Sequence, residues 1–393
     1  MKGWIKSIRQ SKGLQFVAIT DGTTDHQLTL HDGQCEVVGE LKVGASVTAE
    51  GVHGKTPRGF DEFVTSKLIV IGNSDDDFPI QPKAHGFDFL RTIPEQRGRT
   101  KTFRAIWKIR HRLTQAIHSV LDSEGFIQYY TPILTTADCE GAGEVFEVKS
   151  DWLSAGLTVS GQLHGEVGMM SLGRIYTFSP CFRAEKSTTR KHLSEFWMIE
   201  PEMAFYDDAQ TIKFVESFIT KVLQIIIAEC QSEFKDLDID SSHIEKIIRQ
   251  KWLVIPYSDV VIRYGVKFGE DIGSEIEKKL IEDYQCPVFI THYPESLKPF
   301  YMKMQDGFAR CFDLIFPEVG ELVGGSQREE DYEVLKSQMI KGGLDMEKMD
   351  WYLQTRKWGT VPHSGFGIGF ERLLMFITKA PKVHDVIPYP ISF

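Results

Sequence analysis

The chain has 393 residues, 42% hydrophobic and 25% charged, with a formal net charge of −10. That describes a globular protein of two domains, or of one small and one large, and excludes a disordered or fibrous chain. No apolar run approaches the about 18 residues of a membrane-spanning helix, no signal peptide is expected from the alternating first residues, and the six scattered cysteines include no C-x-x-C pair, which argues against a disulfide framework or zinc ribbon and fits a reducing cytoplasm.

Residues 1–72 read as all-β. The runs "GWIKSI", "LQFVAIT", "HQLTLH", "ASVTAEGVHG" and "FVTSKLIVIG" are separated by Asp21-Gly22, Asp32-Gly33 and Gly72-Asn73. Five short strands in this length predict a small closed barrel of the OB-fold type. Phe16 lies on the second run, either in the core or as a platform on which bases stack. Residues 1–13 and 97–112 carry Lys and Arg but no acid, so local basic patches are compatible with the acidic total.

Residues 73–102, with three consecutive Asp and three Pro, read as a hinge or linker. An amphipathic helix follows, with Phe103, Ile106, Ile109, Leu113, Ile117, Val120 and Leu121 at helical spacing and Gly125 as its stop. The next run, "FIQYYTPIL", is a strand whose Pro132 assigns it to an edge or an interface. Residues 157–205 alternate strand-like runs with polar loops. A long helix is expected over 207–230, with Asp207-Asp208 as N-cap candidates. Shorter helices are expected over 241–251, 274–284 and 329–341, and strands over 287–293, 300–305 and 310–324. The irregular order predicts a mixed, mainly antiparallel sheet flanked by helices, an α+β class.

Three stretches carry chemistry. "HSGFGIGFER" has Gly365, Gly367 and Gly369 at alternate positions. This is neither a dinucleotide loop, which needs G-x-G-x-x-G, nor a P-loop, which ends in Gly-Lys-Ser/Thr. Alternate glycines bare one face of a strand, so a ring or phosphate chain can approach the backbone. Arg372 in the first turn of the following helix opposes the helix dipole, which points to an anion; close strand–helix packing with a surface Arg is the alternative. "YTFSPCFRAEKSTTRKHLSEFWMIEPEMAF" is two strand-like arms around a polar loop. It offers Arg183, Glu185, Arg190, Lys191, His192, Glu195, Phe196, Glu200 and Glu202: guanidinium for phosphate, ring for adenine, carboxylate for its amino group. "RCFDLIFPEVGELVGGSQREED" sets Asp313 and Glu321 among apolar residues, where carboxylates want a cation such as Mg²⁺ with phosphates. Arg328 there is free to take a substrate carbonyl or carboxylate.

In this order the blocks resemble the three motifs of class II aminoacyl-tRNA synthetases. The first motif is the helix with its Pro132 strand, the second "FRAE" through "EFWMIEPE", the third "GFGIGFER". With the preceding barrel, the chain is similar to the subgroup that charges tRNA with aspartate, asparagine or lysine. The phrases "EGAGEVFEV", "LTVSGQLHGE", "GELVGGSQRE" and "DVIPYP" bring it nearest to the asparaginyl branch. Aspartyl enzymes carry a Lys three residues after the Gln of the "Q-L" segment, where this chain has Gly165, and an Asp where Glu200 stands.

The resemblance implies an OB-fold anticodon-binding domain over 1–72, a hinge over 73–102 and a catalytic domain over 103–393. The implied reaction activates L-asparagine with ATP and transfers it to tRNA(Asn). Arg183 would bind the α-phosphate, with Arg372 at the ring face opposite Phe196 or at the γ-phosphate. Glu185 would accept from the adenine amino group, and His192 would touch the γ-phosphate, with Leu193 and Gly369 completing the ATP site. Asp313 and Glu321 would hold Mg²⁺. Glu140, Ser160, Gln162, Glu200 and Arg328 would hold the amino acid, and Phe16 an anticodon base. A homodimer through the first-motif helix and strand, with no membrane association, completes the expectation. An aspartyl-type or non-discriminating enzyme, or a paralogue that does not charge tRNA, stays open.

Overall fold

The computed structural model describes residues 1–55, 59, 61–136, 145–185 and 189–391. The chain divides into two compact units, residues 1–104 and 105–393.

In the first unit, strands Lys2–Ser11, Leu14–Thr20, Asp25–His31, Ser46–Lys55 and Asp61–Gly72 match the five alternating runs. A sixth, Glu36–Val38, is too short for alternation to reveal it. Parallel pairing of Asp25–His31 with Asp61–Gly72 closes the sheet into a barrel. Ile5, Val17, Ile19, Leu28, Val47 and Leu68 fill it. The presumed linker holds two short helices, Phe87–Arg91 and Pro94–Arg97. Proline at the first position of the second needs no hydrogen-bond partner for a missing N–H, so a residue read as a breaker starts a helix.

The second unit is built on an eight-stranded sheet. Its spatial order is Leu253–Pro256, Val288–Thr291, Cys311–Phe316, Gly320–Gln327, His363–Gly369, Glu195–Ala204, Arg174–Phe182, Ile127–Gln128. Only the outermost pair at each edge is parallel. Helix Asp208–Glu229 is capped by Asp207, whose side chain accepts from the Gln210 backbone N–H while Gln210 accepts from the Asp207 N–H. Its buried stripe includes Val215, Phe218, Ile219 and Val222. Phe218 meets Phe366 of His363–Gly369, ring centroids 6.5 Å apart. Phe366 and Ile368 therefore face this helix, and alternation turns Gly365, Gly367 and Gly369 to the opposite face.

Several expectations give way. "QLHGEVGMMSL" is a helix, Gln162–Leu172, not a strand-like run. It is buried on several sides, so its sequence lacks the polar–apolar contrast that marks an amphipathic helix. Pro132 divides "FIQYYTPIL" into Ile127–Gln128 at the edge of the large sheet and Leu134–Thr135 in a separate small one. The first arm of the second motif ends at Phe182, so Arg183 and Glu185 project from irregular backbone. Helices Tyr257–Tyr264 and Met346–Gln354 were not read from the sequence.

Candidate active site

A cavity of about 640 Å³ lies over the glycine-bearing face of the sheet. Strand Glu195–Ala204 turns Phe196, Met198, Glu200 and Glu202 toward it, at the period-two spacing of one strand face. Gly324 and Gly367 are direct cross-strand partners and both line it. So do Ser160, Gln162, Arg183, Glu185, His192, Leu193, Asp313, Glu321, Arg328, Gly369 and Arg372. Glu140 lies outside the described residues. Phe16 belongs to the first unit, half-buried on Leu14–Thr20 and paired with Arg9 of the adjacent strand Lys2–Ser11.

The bared glycine face is partly occupied by neighbouring side chains. A Cβ on Gly365 would fall 2.1 Å from a carboxylate oxygen of Glu202, and one on Gly367 would fall 2.7 Å from the Met198 methyl. Gly369 makes room at ordinary contact distance for the stem of Arg372.

At one end of the cavity cations predominate. The Arg183 guanidinium stands 5.3 Å from the Phe196 ring centroid, close enough for a cation–π contact. Arg372 donates to the backbone carbonyl of Glu321, which fixes its direction despite its poor place in the helix. Burial, reinforced by Arg372 and Arg183, lowers the pKa of His192. Burial likewise lowers that of Lys191, whose ammonium lies 3.8 Å from Glu277. Glu321 also lines the cavity, packed among protein atoms yet with its side chain open to solvent. Burial and the charge of Asp313 raise its pKa. Asp313 pairs with Lys298 at 2.6 Å, and the Lys298 ammonium sits 3.9 Å above the Tyr293 ring centroid. Gly324 keeps open the space between the two carboxylates: a Cβ there would stand 3.4 Å from Glu321 Oε1 and 3.8 Å from Asp313 Oδ1. Among the described residues no group of three His, Cys, Asp or Glu forms a metal cage. Two carboxylates, one made reluctant to ionise by the other, suit a Mg²⁺ held chiefly by phosphates.

The other end is a buried charge cluster. Glu200 accepts from Ser160 Oγ, from the Gly161 N–H at 2.9 Å and from Thr177 Oγ1 at 2.9 Å. Arg328, 2% exposed, grips Glu202 with Nη2 at 2.6 Å and Nε at 3.2 Å, and reaches Ser326 with Nη1 at 2.7 Å. Burial, with Glu166 and Glu200 nearby, pushes Glu202 up to about 8 even with Arg328 beside it. Gly165 packs under this cluster. A Cβ there would already lie 3.3 Å from Ile175 Cδ1 and 3.7 Å from Glu202 Cγ.

Sequence reasoning did not single out Glu166, Lys298 or Tyr301, the last of which lines the cavity with its ring centroid 5.2 Å from the Arg328 guanidinium. Lys298 lies just before, and Tyr301 within, the strand expected over 300–305, of which Met304–Gln305 forms a strand while Tyr301 sits on irregular backbone. Glu371, beside Arg372, is structural: it is buried and accepts from Arg110 at 2.8 Å and the Trp197 N–H at 2.9 Å.

Residues 96–392 match the family model of tRNA synthetases class II (D, K and N), and residues 1–71 match that of the OB-fold nucleic acid binding domain. The chain belongs to the class II tRNA synthetases of the D, K and N group. Within this family it is 41% identical to an asparagine–tRNA ligase of Desulfotalea psychrophila, over 99% of this chain and 94% of the relative. It is 38% identical to that of Parabacteroides distasonis, over 99% and 93%. Among solved structures it is similar to the asparaginyl-tRNA synthetase of Pyrococcus horikoshii complexed with asparaginyl-adenylate. That likeness has a TM-score of 0.93 and 30% identity, covering 100% of this chain and 94% of the other. No helix among the described residues of this synthetase is long and apolar enough to cross a membrane.

Proposed function

We propose that the chain activates L-asparagine with ATP and transfers the asparaginyl group to tRNA(Asn). The observation that carries the choice of amino acid is Gly165. The amino-acid end of the cavity has no lysine at this position, and Ile175 and Glu202 leave little space for one. Two carboxylates already line this end, Glu200 bonded to Ser160, Gly161 and Thr177 and Glu202 bonded to Arg328. A neutral amide fits such a cluster; a further carboxylate would be repelled or left unpaired. Arg328 would hold the side-chain carbonyl of asparagine and Glu200 its NH₂, with Ser160, Gln162 and Glu140 around the α-ammonium.

In the first step the asparagine carboxylate attacks the α-phosphorus of ATP, and the bond to the β-phosphate oxygen breaks to release pyrophosphate. Arg183 would stabilise the charge growing on the α-phosphate. Phe196 and Arg372 would enclose the adenine, Glu185 would accept from its amino group, and His192 would meet the γ-phosphate. Leu193 and Gly369 complete this wall. Asp313 and Glu321 would hold Mg²⁺, which supplies positive charge to the triphosphate. In the second step a terminal ribose hydroxyl of tRNA attacks the acyl carbon and AMP leaves. No protein nucleophile enters either step; orientation and electrostatics carry the rate.

The proposal extends to organisation. The barrel, about residues 1–72, would read the anticodon with Phe16 as a stacking platform, and residues 103–393 would form the catalytic domain after a hinge over 73–102. Ile127, Tyr130, Ile133 and Leu134 are exposed apolar residues, Tyr130 83% so. They supply the kind of surface that a homodimer through the first motif would bury. Among the described residues, Cys35, Cys230, Cys286 and Cys311 form no disulfide, which suits the cytosol.

The test is ATP–pyrophosphate exchange with asparagine and with aspartate, followed by charging of a tRNA pool. Exchange driven better by asparagine, with asparaginyl-tRNA formed, is expected. Exchange driven better by aspartate refutes the choice of amino acid, and exchange without charging refutes the second step.

A further inference from the structure

Behind the amino-acid end of the cavity stands a second carboxylate centre that the reaction above does not use. Glu166 lies one turn beyond Gln162 on helix Gln162–Leu172 and is completely buried. It accepts from Tyr352 Oη at 2.9 and 2.8 Å, from Arg356 Nη2 at 2.5 Å and from Gln162 Nε2 at 3.2 Å, and its Oε2 lies 3.1 Å from His363 Nε2. Burial alone would raise its pKa, but Arg356 and His363 outweigh burial and hold it well below the usual carboxylate range. An ionised carboxylate only accepts hydrogen bonds.

We propose that Glu166 is a positioning residue: by accepting from the Gln162 NH₂, it leaves the Gln162 carbonyl oxygen as the atom offered to the substrate's α-ammonium. Three observations support this. Gln162 lines the cavity while Glu166 does not, so the bond runs from a buried anchor to a substrate-facing group. The i, i+4 spacing places both side chains on one helix face. The anchor is itself held by Tyr352 and Arg356, on and just beyond helix Met346–Gln354, and by His363 on the strand next to Glu195–Ala204, so it has little freedom to follow a rotating amide. A fully buried ion pair is also poor at stabilising a fold compared with apolar residues of the same volume. The inference rests on Gln162 meeting the amino acid, as proposed above.

The experiment is ATP–pyrophosphate exchange with the full chain, comparing wild type, E166Q, Q162A and the double variant Q162A/E166Q. In E166Q the new amide both donates and accepts, so Gln162 is no longer oriented. The KM for asparagine is expected to rise about 10- to 100-fold, the scale of one lost hydrogen bond to a charged group. The KM for ATP should stay within about twofold. In the Q162A background E166Q should add little further, because both changes remove the same interaction. If E166Q adds its full effect on top of Q162A, or raises both KM values alike, Glu166 is structural and the proposal fails. Should E166Q not fold, Y352F run through the same cycle serves instead, with a smaller rise in asparagine KM that disappears in Q162A. Aspartate is run in parallel. If it proves the better substrate, the asparagine reading falls while the coupling is still read on the aspartate KM, because both amino acids carry the same α-ammonium. Exchange with neither overturns both.

Discussion

Replacing each alternate glycine of His363–Gly369 by alanine should give graded losses set by what each new methyl meets. At Gly365 the methyl would lie 2.1–2.2 Å from the Glu202 carboxylate, which Arg328 holds through two hydrogen bonds. The carboxylate cannot yield without breaking that buried pair, so Gly365→Ala should cost about 3–5 kcal/mol. At Gly367 the obstacle is the far end of Met198, a flexible side chain that can swing aside, and about 1–2 kcal/mol is expected. At Gly369 the methyl would touch the Arg372 stem at 3.6–3.7 Å, ordinary contact. What remains is the poorer helix cap made by alanine, up to about 1 kcal/mol. Urea unfolding followed by near-ultraviolet circular dichroism reads the series, and the asparagine KM should follow the same order. If Gly369→Ala destabilised as much as Gly365→Ala, or if Gly365→Ala cost under about 1 kcal/mol, the assignment of Glu202 as the fixed obstacle would be wrong.

Other perturbations reach different parts of the chain. Arg183→Ala should lower the rate of ATP–pyrophosphate exchange by about 10²-fold or more, as for a lost donor at a developing anion; near wild-type exchange would remove it from the α-phosphate. Glu202→Gln should flatten the dependence of stability on pH. Because the folded pKa is raised, the folded state keeps a proton the unfolded state has lost, so wild-type stability falls as pH rises from about 4.5 to about 8. This group adds a slope of up to about 1.4 kcal/mol per pH unit. Denaturation midpoints across that range, wild type against variant, check the sign. Phe16→Ala should weaken tRNA charging while leaving pyrophosphate exchange intact, since stacking losses run about 1–3 kcal/mol per base; equal loss in both assays would count against an anticodon role.

What the sequence made legible follows from range of interaction. The barrel strands alternate because one face of each meets the core, and helix Asp208–Glu229 carries both its apolar stripe and its capping box in contiguous residues. Helix Gln162–Leu172 hid because burial on several sides removes the contrast that periodicity detects. Arg183, Glu185, Phe196, Asp313, Glu321, Arg328 and Arg372 stood out by residue type and local setting, but only the joint resemblance of three motifs brought them together with Ser160 and Gln162, since neither spacing nor charge assembles groups from 160 to 372. Glu166 and Arg356, 190 residues apart, and Lys298 against Asp313 become a cluster only when strands and helices distant in sequence meet.

Strand His363–Gly369 also bears on how the sheet is aligned. A two-residue slip against Glu195–Ala204 would keep every side chain on its own face, and alternate glycines would admit Glu202 opposite Gly367 as readily as opposite Gly365. What distinguishes the two alignments is Arg328, whose N–H is bonded to the His363 carbonyl at 2.9 Å and which travels with that strand. A two-residue slip would carry the guanidinium about 7 Å from Glu202 and leave both charges buried without each other. The Arg328–Glu202 pair thus acts as a key that accepts one alignment of the central strands and rejects its near neighbour.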